Sequence, residues 1–200
     1  MPEKIVSVLY DHYKDSCAIV EKAIKRRDSL MILVIATLGF FSLQGLFPTT
    51  SNVLLGDFIN FKFGINLNLN FSIIGNVVWF LLLTFTLRYF QTAVFIERQY
   101  PYIHKLEERL NKEFDEEVIT REGGTYLSNY PLFSDLMWIL YTLIFPLILV
   151  SVAVSKIISE QKSICTNGWS LSLIFDFTIF IILATSIIFY LIAIHKKPKG

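Results

Sequence analysis

The sequence predicts an all-α integral membrane protein, a bundle of four transmembrane helices with amphipathic helices at its N terminus and in its central segment. Three observations carry this. Hydrophobic residues make up 54% of the 200 residues and charged residues only 18%. The mean hydropathy is +0.54, above the balance that water-soluble chains keep. The apolar residues are also gathered into four runs, each close to the ~20 residues a helix needs to cross a hydrocarbon core. Inside that core no water satisfies bare backbone groups, so a spanning segment has to be helical.

Residues 1–28 come first. Val6, Tyr10, Tyr13, Cys17, Val20 and Ile24 recur at alternating spacings of four and three, a stripe on one helical face. Such a stripe calls for a covering surface: the central segment, a second copy, or the headgroup layer. Lys25, Arg26 and Arg27 follow, just before the first apolar run. That run begins only at Leu30 and no small-residue cleavage site follows it, so it is expected to stay as an anchor.

The first transmembrane hairpin is expected over 29–96, with spans near 30–47 and 71–90 and an outer loop at 48–70. In that loop Ile65, Asn66, Leu67, Asn68, Leu69, Asn70 and Phe71 alternate strictly between apolar and polar, the period of a strand with one wet face. With Phe58, Phe61 and Phe63 before Gly64, the alternation suggests a small element of β character or an interfacial flap. A lone hairpin is marginal in water and would have to lie on the bundle or pair with a neighbouring copy.

The central segment, 97–131, carries a second stripe, Ile103, Leu106, Leu110, Phe114 and Val118, with charged residues on its other faces. Pro101 suits the first turn of this helix, and Gly123 and Gly124 suit its end. A two-helix cap built from the N-terminal and central stripes follows. The second hairpin is expected over 132–194, with spans near 136–155 and 171–194, and a short tail occupies 195–200.

Orientation comes from Lys and Arg, which favour cytoplasmic segments close to spans. Of the 18 in the chain, all but Lys62, Lys156 and Lys162 fall in the N-terminal segment, in the central segment counted with Arg88 at the inner end of the second span, or in the tail. Both termini are therefore expected in the cytoplasm, and the chain in the plasma membrane, a bacterial inner membrane. Cys17 and Cys165 then lie on opposite sides and cannot pair within one chain.

Polar side chains at membrane depth are costly, about 2.5–3.5 kcal/mol for an ionised group at a helix centre. Asp176, five residues into the last span, is the costliest here. Asn76, Gln44, Ser151 and Ser155 fall in the same outer layer, and Lys156 is placed to pair with Asp176. Interhelical packing explains this layer most simply, and a polar gate is the functional alternative. At the inner edge Arg88 and Asp135 are placed to pair across the bundle.

Enzyme chemistry has little to stand on. His12, His104 and His195 all lie outside the apolar runs, and no helix gathers the four converging ligands a metal needs. Gly123 and Gly124 lack the pattern of a phosphate loop, no Ser or Cys stands in a nucleophile motif, and no cofactor is implied. The net charge of +1 gives no field to hold nucleic acid. A basic pre-span helix, a tight bundle and a helical cap resemble many small bacterial membrane proteins, including effector and sensor subunits of defence or toxin systems. That likeness is architectural and transfers no site residues.

The function expected is a non-enzymatic membrane subunit that self-associates into a homo-oligomer and binds a cytoplasmic protein partner, with the bilayer as its solvent. A pore-forming or membrane-depolarising effector built around Asp176 comes second, a small-solute carrier third and a lipid-modifying enzyme fourth.

Overall fold

A computed structural model describes residues 3–46, 48–64, 71–114, 136, 139–167 and 171–195, without the side chains at 3, 44–46, 48–52, 55, 59, 63, 71–73 and 159–167. Among the described residues the chain is helical and contains no strand. In chain order the helices are α1 (Glu3–Leu46), α2 (Pro48–Phe63), α3 (Phe71–Phe114), α4 (Phe145–Asn167) and α5 (Leu171–His195), with a π-helical turn, Leu140–Ile144, leading into α4.

Three stretches, Ile74–Phe114, Leu140–Ile158 and Leu171–His195, are long and apolar enough to cross a membrane. The fourth expected span, 30–47, runs past residue 43 of α1, where the described side chains stop. α5 shows why water is an unsuitable medium. Only 22% of its most apolar window is buried inside the protein, while Ile174, Phe175, Ile181, Ile182, Ile188 and Phe189 are exposed. Apolar surface of that kind needs hydrocarbon around it.

Several expectations require correction. The outer loop at 48–63 is the helix α2, with no β character there; the alternating residues 65–70 lie outside the described residues. Gly64 ends α2 with φ +65°, a left-handed conformation open to glycine, and its N–H donates to the Asn60 carbonyl at 2.8 Å. The N-terminal segment and the first apolar run belong to one helix, α1, of 44 residues. Pro101 stands in the interior of α3, also 44 residues long, rather than at a helix start. Its ring leaves the Glu97 carbonyl without the usual intrahelical donor, and Ile96 and Ile103 on either side of it pack in the core described below. Val118, Gly123, Gly124, Pro131 and Asp135 lie outside the described residues.

Pro146 is accommodated differently. It sits in the first turn of α4, directly after the π-helical turn, where the wider winding makes room for a ring that would clash with the carbonyl four residues back.

The chain divides into two compact units. One comprises Met1–Ser29, Tyr89–Ile144 and Tyr190–Gly200. Its core joins Tyr13 and Val20 of α1 to Ile96, Ile103, Leu106 and Leu110 of α3, with Leu9, Cys17, Ala23, Ile24 and Tyr100 packed at the margin. The two stripes thus cover each other within one chain. Tyr89 and Phe90 of α3 join Tyr190 of α5 in a second cluster, where the Phe90 and Tyr190 rings stack at 4.2 Å.

The other unit comprises Leu30–Arg88 and Phe145–Phe189. It buries Val34 and Leu38 of α1, Val78, Trp79, Leu82 and Leu83 of α3, Leu149, Ala153 and Ile157 of α4, and Leu173, Ile179, Leu183 and Ile187 of α5. Val34 and Leu38 on α1, and Leu149, Ala153 and Ile157 on α4, are four residues apart, the period of a packed face.

Candidate functional site

The candidate site lies in this second unit. Within this unit the buried positions of α5 are Leu173, Asp176, Ile179, Leu183 and Ile187, all on one face. Asp176 therefore stands where the pattern calls for Ile or Leu, and it is 1% exposed. A lone carboxylate there would be prohibitive, and α4 supplies the counter-ion. Lys156 Nζ lies 3.0 Å from Asp176 Oδ2, with the lysine side chain 14% exposed.

Aromatic rings complete the node. The Lys156 ammonium lies 5.5 Å from the Phe41 ring centre and 6.0 Å from that of Trp79. Phe41 and Trp79 stack at 5.0 Å. Their electron-rich faces favour a cation that has lost most of its water. The indole Nε1–H points at the Asp176 carbonyl at 3.5 Å, a long contact. So α4 and α5 supply a single buried ion pair, and α1 and α3 each supply one ring beside it. One turn away, Asn76 Nδ2 donates to Ser172 Oγ at 3.0 Å and the hydroxyl donates back to Asn76 Oδ1 at 3.1 Å, tying α3 to α5 again.

The node leaves one acceptor open. Asp176 Oδ1 is buried and has no hydrogen-bond partner among the described residues. A buried carboxylate oxygen without a donor forfeits hydration with nothing in exchange, so the pair is a specificity device more than a source of stability.

The expected polar layer is thus assembled in part. Asp176, Lys156 and Asn76 are brought together with Trp79, Phe41 and Ser172, which sequence reasoning did not include. Ser151 and Ser155 are exposed, and each donates to the carbonyl four residues earlier on its own helix, Leu147 and Ser151 respectively, at 2.8 Å. They face away from the node. The side chain of Gln44 and the whole of Asp135 lie outside the described residues, and Arg88 is exposed. Trp79 had a signal available: an indole N–H in an apolar run has to find an acceptor.

A second polar contact lies in the first unit. Tyr13 OH donates to Glu107 Oε1 at 2.8 Å, and both residues are buried in the α1–α3 core. Burial raises the Tyr13 phenol above its ordinary range, and the neighbouring Glu107 carboxylate and Cys17 thiol add to the rise. His12 and Tyr102 hydrogen-bond beside it. Of the expected stripe residues, Tyr13, Val20, Ile103, Leu106 and Leu110 are buried, Ile24 packs at the margin, Val6 is half-buried, and Tyr10 and Phe114 are exposed. Leu9 takes the place expected for Tyr10.

Among the described residues no group of three or more His, Cys, Asp or Glu is gathered as metal ligands would be. Of the buried polar side chains, Asp176 and Glu107 make contacts between helices, whereas Ser16 donates to the His12 carbonyl of its own helix. Compared with protein-family models, curated proteins and solved structures, the chain matches none of them, so function has to be argued from this geometry.

Proposed function

We propose that the chain is a non-enzymatic subunit of a bacterial inner membrane, crossing it four times with both termini in the cytoplasm. It self-associates and binds a cytoplasmic protein partner, as a sensor or effector component does. One observation supports the partner surface most. The α1–α3 core takes up the main stripe, yet α1 keeps a further apolar set, Ile5, Val8 and Ile19, exposed on an adjacent face among charged residues. Separations of three and eleven residues bring these to one side of the helix. In a water-facing segment, such a set is the material of a protein–protein contact.

The continuity of α1 and α3 supports the sensor or effector role. Each carries apolar membrane-type sequence at one end and a charged, paired segment at the other without a helix break. The test is purification in mild detergent followed by crosslinking and native gels, comparing the natural chain with Val8→Asp and Ile19→Asp. A defined oligomer or co-purifying protein that both variants lose supports the proposal. A monomer with nothing attached, unaltered by either substitution, refutes it.

A pore or depolarising effector is the second candidate function, favoured by the open oxygen of Asp176 at the four-helix node. The outward-turned Ser151 and Ser155 weigh against it, since a water path needs converging polar groups. In that case expression depolarises cells and Asp176→Asn abolishes the effect.

A further inference from the structure

α2 is too short to be a span and too apolar for open water. Its 16 residues extend about 24 Å at the helical rise, short of the ~30 Å hydrocarbon core. Leu54, Phe58 and Phe61, spaced four and three apart on one face, are exposed, Phe61 to 91%, and Val53 is exposed outside that face. Asp57, Asn60 and Lys62, also exposed, flank that face.

Covalent geometry says what covers the face. One residue separates the end of α1 from Pro48, and α1 already exposes Ile32, Leu33, Ile35 and Leu43 in its second half. At the other end residues 64–70 connect α2 to α3, whose membrane-type stretch begins at Ile74. Tethers of one and seven residues keep both ends of α2 close to the ends of two apolar helices, and a helix lying along the bilayer surface satisfies both.

We infer that α2 is an interfacial helix, lying along the outer leaflet with Leu54, Phe58 and Phe61 in the boundary between headgroups and acyl chains. Asp57, Asn60 and Lys62 reach the headgroups and water. Helices of this kind bury their apolar face ~5–10 Å into that boundary. The inference rests on the membrane placement of α1 and α3 proposed above, and its test separates the two.

In a Cys17→Ser, Cys165→Ser background, nitroxide labels are placed singly at Leu54→Cys, Phe58→Cys, Phe61→Cys, Asn60→Cys and Ile182→Cys. The protein is reconstituted into phosphatidylethanolamine–phosphatidylglycerol vesicles. Collision rates with oxygen, which dissolves in lipid, and with a water-soluble nickel complex are then compared. The oxygen-to-nickel ratio at 54, 58 and 61 is expected to exceed that at 60 several-fold, and to fall below that at 182, on the lipid-facing side of α5. Nickel access at 58 and 61 equal to that at 60 overturns the inference while leaving the membrane placement standing. Spectra at 58 and 61 that sharpen on dilution with unlabelled protein also overturn it, since a second copy is then the cover. Free nickel access at 182 overturns the membrane placement itself, and the inference with it.

Discussion

Removing Lys156 alone leaves the Asp176 carboxylate in the bundle with no counter-charge, and removing Asp176 alone strands the ammonium. At the observed 3.0 Å and an effective dielectric near 20, the attraction between them is about 5–6 kcal/mol. Breaking a buried pair by truncating one partner commonly costs about 3–5 kcal/mol. Lys156→Met and Asp176→Leu are therefore each expected to destabilise the bundle by that order, with the lysine deletion the worse. Asp176 is 1% exposed and has no route to water, whereas the 14% exposure left to Lys156 lets the ammonium recover some hydration. The double variant is expected to return to within ~1 kcal/mol of the natural chain or above it, because an apolar pair fills the node without the desolvation that Oδ1 suffers. The assay is reversible unfolding by SDS in mixed micelles, read by helix content for all four members of the cycle. Losses that simply add in the double variant would show that the two side chains are not coupled, and the node would lose its place as the organiser of the four helices.

Other expectations follow from individual residues. Thr86 is fully buried and its hydroxyl has no partner among the described residues, so Thr86→Val is expected to be stabilising by about 1 kcal/mol in the same SDS titration. Leu110, buried between α1 and α3, is expected to cost about 2–5 kcal/mol when cut to Ala, seen as faster proteolysis of the α1–α3 pair. Tyr13 gives a pH dependence. A phenol raised above its ordinary value of 10.0 in the folded chain contributes stability that is intact below that pH and lost as pH climbs past it. Helix content followed from about pH 9 to about pH 12 should fall in the natural chain and fall less in Tyr13→Phe, which has no proton to lose.

Much of this architecture is legible in residue order because burial repeats. Ile103, Leu106 and Leu110 announce a packed face, and Tyr13 and Val20 announce its partner, since the helical period forces them to one side. Tyr10 was misleading. It keeps the three–four rhythm, but Leu9 serves the same turn, and spacing cannot choose between neighbouring apolar residues on the edge of a stripe. The helix at 48–63 was hidden by its composition: apolar residues lie on more than one of its sides, so no single period stands out, and the Asn-rich alternation after it suggests a strand. Pro101 resembles a helix start in one dimension, where the packing that carries α3 through it is invisible. Asp176 was visible as an ion in an apolar run, and Lys156 as its counter-ion. The aromatic faces of Phe41 and Trp79, from helices far apart in sequence, become part of the site only through folding.

The proposed placement puts these helices in a bilayer with both chain ends inside. Labelling of whole cells with a membrane-impermeant maleimide, at Lys4→Cys, Asp57→Cys and Lys112→Cys in the cysteine-free background, tests it most directly. Residue 57 is expected to react in intact cells, and residues 4 and 112 only after the membrane is opened. Reaction of residue 4 or 112 in intact cells, or equal reaction of all three in a fraction that stays in solution without detergent, would contradict the account.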